Sequence, residues 1–213
     1  MPQVATVQRI LDTAERLFAQ QGFSETSLRM ITGEAQVNLA SVNYYFGSKK
    51  SLIQAVFARF MDPFVERLQK AIQHIQSDDD QDNLESLLRV LVDEMISVEQ
   101  EQKKDLMVFM QLLGLAYSQT QGHLKKYLYE KYSDVLHRYM RLLIKACPDL
   151  DESELFWRVN FILGAAVFTL SGASTLRAIA RSDYHMDSSI PDILRKMVPF
   201  MAAGLRAHAG GVD

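Results

Sequence analysis

Between residues 26 and 50 a cluster of short polar side chains runs into a pair of lysines, a combination suited to bonding base edges and phosphates. If Val42 and Phe46 point inward on a short helix, then Ala40, Ser41, Asn43 and Tyr44 point outward. Ala40 lets a backbone approach, Ser41 can bond either a phosphate or a base, and Asn43 can pair bidentately with adenine. Tyr44 has a phenol long enough to reach a phosphate, and Leu39 at the edge of the face can pack on a thymine methyl. Lys49 and Lys50 follow Gly47 and Ser48, so fresh helix amides and two ammonium groups make an anion site. Arg29, in the first turn of the preceding helix, is a further groove or phosphate contact, with Thr26 and Ser27 beside it, and Asn38 completes the expected contact set.

Positioning these groups requires two short helices at a tight turn. In the first, Leu28, Ile31 and Ala35 share a face, and Thr26 or Ser27 caps it with a hydroxyl. Val37 is the apolar residue of the turn and Asn38 caps the second helix, whose end is Gly47. Ahead of the pair, Val7, Ile10, Leu11, Ala14, Leu17 and Phe18 line one side of a helix that stops at Gly22, with Phe23 folded back as a plug. This is the layout of a helix-turn-helix reader of duplex DNA.

The remainder also reads as helical. Proline and glycine number only 5 and 10, and apolar residues recur at spacings of three and four, so the fold class is all-α with no competing strand pattern. A long helix from Ser48 should kink or restart at Asp62-Pro63. The acidic run Ser77 to Asp82 reads as a solvated connector, with Asp82 and Glu85 as a capping box. Further helices are expected over about 83–99, 103–118, 122–146, 151–171 and 187–207, with breaks near Gly122, Pro148 and Ser182 to Pro191. Two domains follow: a three-helix DNA-binding head over 1–52 and a larger helical effector-binding and dimerisation body over 53–213.

Charge supports the division. Residues 1–60 hold six basic and four acidic residues, net +2, whereas residues 61–213 hold seventeen and twenty-two, net −5. A basic head on an acidic body suits localised phosphate contact. The single cysteine, Cys147, can form no internal disulfide, and Arg9, Asp12, Glu15 and Arg16 interrupt any apolar leader. The most apolar segment, Phe161 to Leu170, falls short of the roughly 20 residues a bilayer needs. A cytoplasmic protein that does not enter a membrane is the expectation.

Catalysis finds no support. Di-metal helical bundles need repeated Glu-x-x-His units, and this chain offers one near-match, Asp134 to His137, while His74, His123, His185 and His208 are scattered. No glycine-rich phosphate cradle and no Gly-x-Ser-x-Gly occurs, so neither an enzyme, a metal nor a cofactor is expected. A lipid carrier whose head binds protein is a further alternative, disfavoured by Lys49 and Lys50 beside the Ser/Asn/Tyr face.

In the body, apolar residues encircle the helix from Leu155 to Leu170, which implies burial on more than one side. Phe156, Asn160, Leu163, Gly164 and Val167 from this helix, with Leu194, Met197 and Met201 of the last, are the expected two-fold interface of a homodimer, the alternative being a central helix of a monomer. Paired recognition helices about 34–36 Å apart would then enter successive major grooves of a palindromic site. A small apolar effector is expected among Met95, Met107, Phe109, Met110, Leu113, Tyr117, Tyr139, Met140, Phe161 and Phe168, because methionine adapts to flexible apolar ligands. The same stripes also read as plain core.

Residues 7 to 52 resemble the TetR family of one-component transcriptional regulators through Ile10-Leu-Asp-Thr-Ala14, Leu17-Phe18, Gly22-Phe23, Thr26-Ser27, Ile31, Ala35, Val37, Tyr44-Tyr-Phe46, Ser48-Lys49 and Leu52. The resemblance implies that Ser41, Tyr44 and Lys49 meet DNA and that the body pairs through a four-helix interface. Three departures stand out: Gln36 in place of the turn glycine, implying a strained or adjusted turn, and Leu39 and Asn43, implying a distinctive operator. The run Val37 to Phe57 is similar to the PsrA-type branch, regulators of fatty-acid metabolism, which implies a long-chain fatty acid or its CoA ester as effector.

Overall fold

A computed structural model describes residues 2–75, 83–102, 105–119 and 121–208. It contains α1 (Pro2–Gln21), α2 (Leu28–Glu34), α3 (Leu39–Phe46), α4 (Lys49–Ile75), α5 (Asn83–Gln102), α6 (Leu106–Ser118), α7 (Gly122–Ala146), α8 (Glu152–Ser171), α9 (Ala173–Tyr184) and α10 (Ile190–Arg206), with no strand among the described residues. The expected connector Ser77 to Asp82, including the cap assigned to Asp82, lies outside them.

The head forms because α1 ends early. Gly22 adopts φ +86, a left-handed conformation that suits glycine, and the chain turns back so that Phe23 packs on Phe18 at 5.4 Å. Ile10, Ala14, Phe18, Phe23, Ile31 and Val42 then close a small core against Leu52 and Phe57 of α4. Arg59 of α4 grips α1 through Glu15 and Asp12. The expected domain boundary at 52/53 falls inside α4, which packs against α1, α3, α5 and α7.

Four expectations about the elements are corrected. Of the kink or restart expected at Pro63, the restart does not occur: α4 runs without interruption from Lys49 to Ile75 with Pro63 inside it. The proline removes one amide, but Asp62 beside it is tied to Lys131 at 2.6 Å and to the Tyr132 hydroxyl at 2.7 Å, both on α7. A helix not anticipated, α9, occupies Ala173 to Tyr184, with Ala173 its buried residue. The apolar stripe of α10 faces its own protomer: Leu194, Met197 and Met201 are buried, where α10 packs on α5 and α8. Lastly α8 is, over its full 20 residues, long and apolar enough to cross a membrane by length and composition, so the ten-residue estimate was too short.

The junction of α8 with α10 holds a buried cation. Arg158 is 7% exposed, and its Nη1 donates to the carbonyls of Gly204, Leu205 and Ala207 while Nε donates to Glu154. It thus satisfies the carbonyls that a helix leaves open at its C-terminus, at the negative end of the α10 dipole.

Candidate nucleic-acid interface

The two short helices are fixed by their caps. Ser27 Oγ accepts from the Met30 amide at 3.2 Å, so of the two candidates Ser27 is the cap of α2. Thr26 is instead fully buried, and its hydroxyl donates to the carbonyls of Leu17 and Gly22. Its place among the DNA contacts is therefore corrected: the hydroxyl serves the carbonyls stranded where α1 stops. Asn38 Oδ1 accepts from the Ser41 amide at 2.8 Å and the Ser41 hydroxyl at 3.0 Å, capping α3 and orienting Ser41.

The turn between them has the geometry of a Schellman motif. The Val37 amide donates to Thr32 O at 3.0 Å and the Gln36 amide to Gly33 O at 3.3 Å. Gln36 occupies the left-handed position at φ 53, where the departure from glycine had implied an adjusted turn. A left-handed L-residue costs about 1–2 kcal/mol, and glycine's greater unfolded freedom returns roughly 0.5–1 of it. Gln36→Gly should therefore raise stability by about 0.5–1 kcal/mol in urea unfolding, and an unchanged or lower midpoint would contradict a strained turn.

Around the recognition helix, Val42 is fully buried and Phe46 half-buried, which leaves the opposite face open. Tyr44 is 79% exposed, Leu39 39%. Ala40 and Asn43 are exposed too, and Ser41 is half-buried at the edge. Tyr44 is braced edge-on against Tyr45 at 5.0 Å. Arg29 projects from α2 into solvent.

Ser48 Oγ accepts from the Ser51 amide at 3.1 Å and so starts α4, placing Lys49 and Lys50 in its first turn. Lys49 Nζ donates to Ser24 O at 3.4 Å, and burial pushes its ammonium down from its ordinary value against the opposing pull of Glu25. Lys50 is exposed. Burial, with a smaller contribution from the Lys50 charge, pushes the His123 imidazole down. The structure thus brings Ala40, Ser41, Asn43 and Tyr44 on α3 next to Lys49 and Lys50 at the start of α4.

The other two expected sites are redistributed. Of the effector set, Phe109 stacks on Phe60 at 4.2 Å, Met110 is buried, and the Tyr139 hydroxyl donates to Leu87 O at 3.0 Å. These three are packed core. Tyr117, Phe161 and Phe168 are 70%, 67% and 71% exposed and face outward, so they line no interior in this structure. Met95, Met107, Leu113 and Met140 are half-buried around the core. Two hollows among the described residues, about 560 Å³ along α4 beside Arg59 and Tyr127 and about 530 Å³ between Arg67 and Val90, include none of the expected residues.

Of the dimer set, Phe156 and Gly164 are exposed, and Asn160 and Leu163 are half-buried; Asn160 Nδ2 donates to Phe156 O. Val167 turns toward α6, where its Cγ1 lies 2.9 Å from the place a Cβ on Gly114 would occupy. The outward face of α8 also carries Trp157, 55% exposed and stacked on Phe161 at 6.2 Å, and α10 adds Phe200 at 62%. Sequence reasoning missed these two. The pairing of Trp157 with Phe161 at a spacing of four was the available signal.

Comparison with known proteins agrees with this geometry. The family profile "Bacterial regulatory proteins, tetR family" matches residues 10–56, and that of "Tetracyclin repressor-like, C-terminal domain" matches residues 89–204, more than half of the chain. Among curated proteins, the chain is 35% identical over 86 residues to one named "Probable HTH-type transcriptional regulator YttP" of Bacillus subtilis (strain 168), a match covering 40% of this chain and 42% of that protein. It is 32% identical over 65 residues to the "HTH-type nicotine-responsive transcriptional repressor HdnoR" of Paenarthrobacter nicotinovorans, covering 30% of this chain and 34% of that one. The chain thus spans less than half the length of these relatives. Over nearly full length it superposes on a TetR-like transcriptional regulator from Rhodococcus sp. RHA1, with TM-score 0.60, 17% identity, and 95% and 97% of the two chains covered. The fatty acid degradation regulator FadR from Bacillus halodurans gives TM-score 0.55 and 19% identity over 98% and 96%. At these identities the likeness is one of fold.

Proposed function

Because this chain belongs to the TetR family of bacterial regulatory proteins, we propose that it is a homodimeric, effector-released repressor that reads a palindromic operator through α3. It is a DNA-binding transcriptional regulator, and the observation that carries the reading is the open face of Ala40, Asn43 and Tyr44 beside Lys49 and Lys50. Ser41, Asn43 and Leu39 read base edges, while Tyr44, Lys49, Lys50, Arg29 and Ser27 hold phosphates. It acts in the cytoplasm, where its operator is.

Dimerisation is assigned to the outward aromatics of α8, with Phe156, Gly164 and Asn160 from the expected set and Phe161, Phe168, Trp157 and Phe200 added. The four-helix arrangement would then bury a face that is otherwise wet. The effector is a small apolar molecule, taken up by opening the core near Met95, Met107, Leu113 and Met140. A long-chain fatty acid or acyl-CoA suits such a lining, and the resemblance to the PsrA-type branch supports it, as does, more faintly, the fold shared with FadR.

Two protein variants test the reading on a duplex selected by the protein from a randomised pool. Lys50→Ala should weaken binding to all sequences alike and flatten the salt slope by about one unit. Asn43→Ala should relax sequence preference by roughly 1–3 kcal/mol. Uniform loss from both would remove Asn43 from base readout. For the effector, oleate or oleoyl-CoA should release the duplex; release by another metabolite alone would sink the fatty-acid assignment and leave the repressor standing.

A further inference from the structure

Where α1 ends at Gly22, one helical hydrogen bond is missing. In a continued helix the Phe23 amide would donate to the Ala19 carbonyl. Each half of that broken bond is taken up by a glutamine of the body: Gln111 Nε2 donates to Ala19 O at 2.9 Å, and Gln119 Oε1 accepts from the Phe23 amide at 3.2 Å. Gln111 lies on α6 and Gln119 is its C-cap, so both sit on one body element roughly two turns apart. Gly22 leaves room for the second, since a Cβ there would come 2.8 Å from Gln119 Nε2.

The same corner is joined by an aromatic path. Phe23 contacts Phe57 of α4 at 6.2 Å, and Phe57 contacts Phe109 of α6 at 5.9 Å. Apolar packing tolerates sliding and rotation, whereas two hydrogen bonds of opposite polarity admit one register. We propose that Gln111 and Gln119 are positioning residues for DNA reading: they lock the end of α1 to α6 and thereby set the angle at which the body presents α3. Both bond the backbone at the end of α1, through Ala19 and Phe23. The inference rests on the dimeric reading above, in which head angle sets the distance between two recognition helices.

The test uses full-length protein and palindromic duplexes selected from a randomised pool by the unmodified chain, together with derivatives having one base pair inserted between the half-sites. Gln111→Met and Gln119→Met keep side-chain bulk but remove the bonds. Each should lower affinity for the selected duplex about threefold to tenfold and shrink the penalty for the inserted base pair. Gln119→Glu keeps the acceptor and should restore the spacing preference, while Gln111→Glu loses the donor and should not. Wild-type spacing preference in both methionine variants would overturn the proposal, as would identical behaviour of the two glutamate variants. If the unmodified chain selects duplexes but is indifferent to the insertion, the dimeric reading fails and the proposal with it.

Discussion

Phe161→Asp combined with Phe168→Asp should convert the protein to monomers and lower operator affinity by roughly a hundredfold or more. The two rings are 67% and 71% exposed on α8, in line with Phe156 and with Trp157 at 55%. Apolar area removed from water stabilises by about 25 cal/mol per Å², and rings of this kind bury on the order of 150–250 Å² each. In a two-fold interface each substitution acts twice, and introduces charges that would be desolvated against like charges. Operator affinity falls because the second half-site contact ceases to be intramolecular. Sedimentation equilibrium at micromolar concentration reads the first effect and titration of the selected duplex the second. A variant that remains dimeric would place the interface elsewhere.

Arg158→Met should cost about 3 kcal/mol of folding stability, a fall of roughly 6–12 °C in unfolding temperature for a chain of this size. The guanidinium serves three carbonyls at the end of α10 and the Glu154 carboxylate, and charge-assisted bonds of this kind are worth about 1.5–3 kcal/mol each when lost. Methionine restores the stem's packing but leaves the buried Leu205 carbonyl and the part-buried carbonyls of Gly204 and Ala207 without this donor. The loss is moderated because Glu154 is 38% exposed in its side chain and can be solvated once alone. Arg158→Lys should recover only part, since an ammonium cannot span the same fork of acceptors. Chemical denaturation showing a loss under about 1 kcal/mol would mean that α10 ends are satisfied by water.

How much of this was readable depended on whether one residue type had one place to go. The caps Ser27 and Asn38 and the turn at Gly22 were legible because their chemistry is local: a hydroxyl, an amide oxygen or a free φ is needed at that step of the backbone. The outward set on α3 followed from the inward pair Val42 and Phe46. By contrast, the stripe of Leu194, Met197 and Met201 has the same spacing whether it meets α5 of its own chain or a second chain, and periodicity names no partner. Phe161 and Phe168 suffered the same ambiguity in reverse. Thr26 was misplaced because threonine caps helices from either end of a loop, and here the needy carbonyls of Leu17 and Gly22 lay behind it. The Gln111 and Gln119 pair was invisible, and of Arg158 only the Glu154 partner four residues back had a local signature, since the other bonds reach across many tens of residues.

Hydroxyl-radical footprinting of the protein on its selected palindromic duplex tests the central proposition most directly. Two protected patches are expected on one face of the duplex, about 10 base pairs apart centre to centre or a multiple of that, and Tyr44→Ala should weaken both equally. A single patch, two patches on opposite faces, or a footprint indifferent to Tyr44 would contradict the reading of α3 as the paired recognition helix.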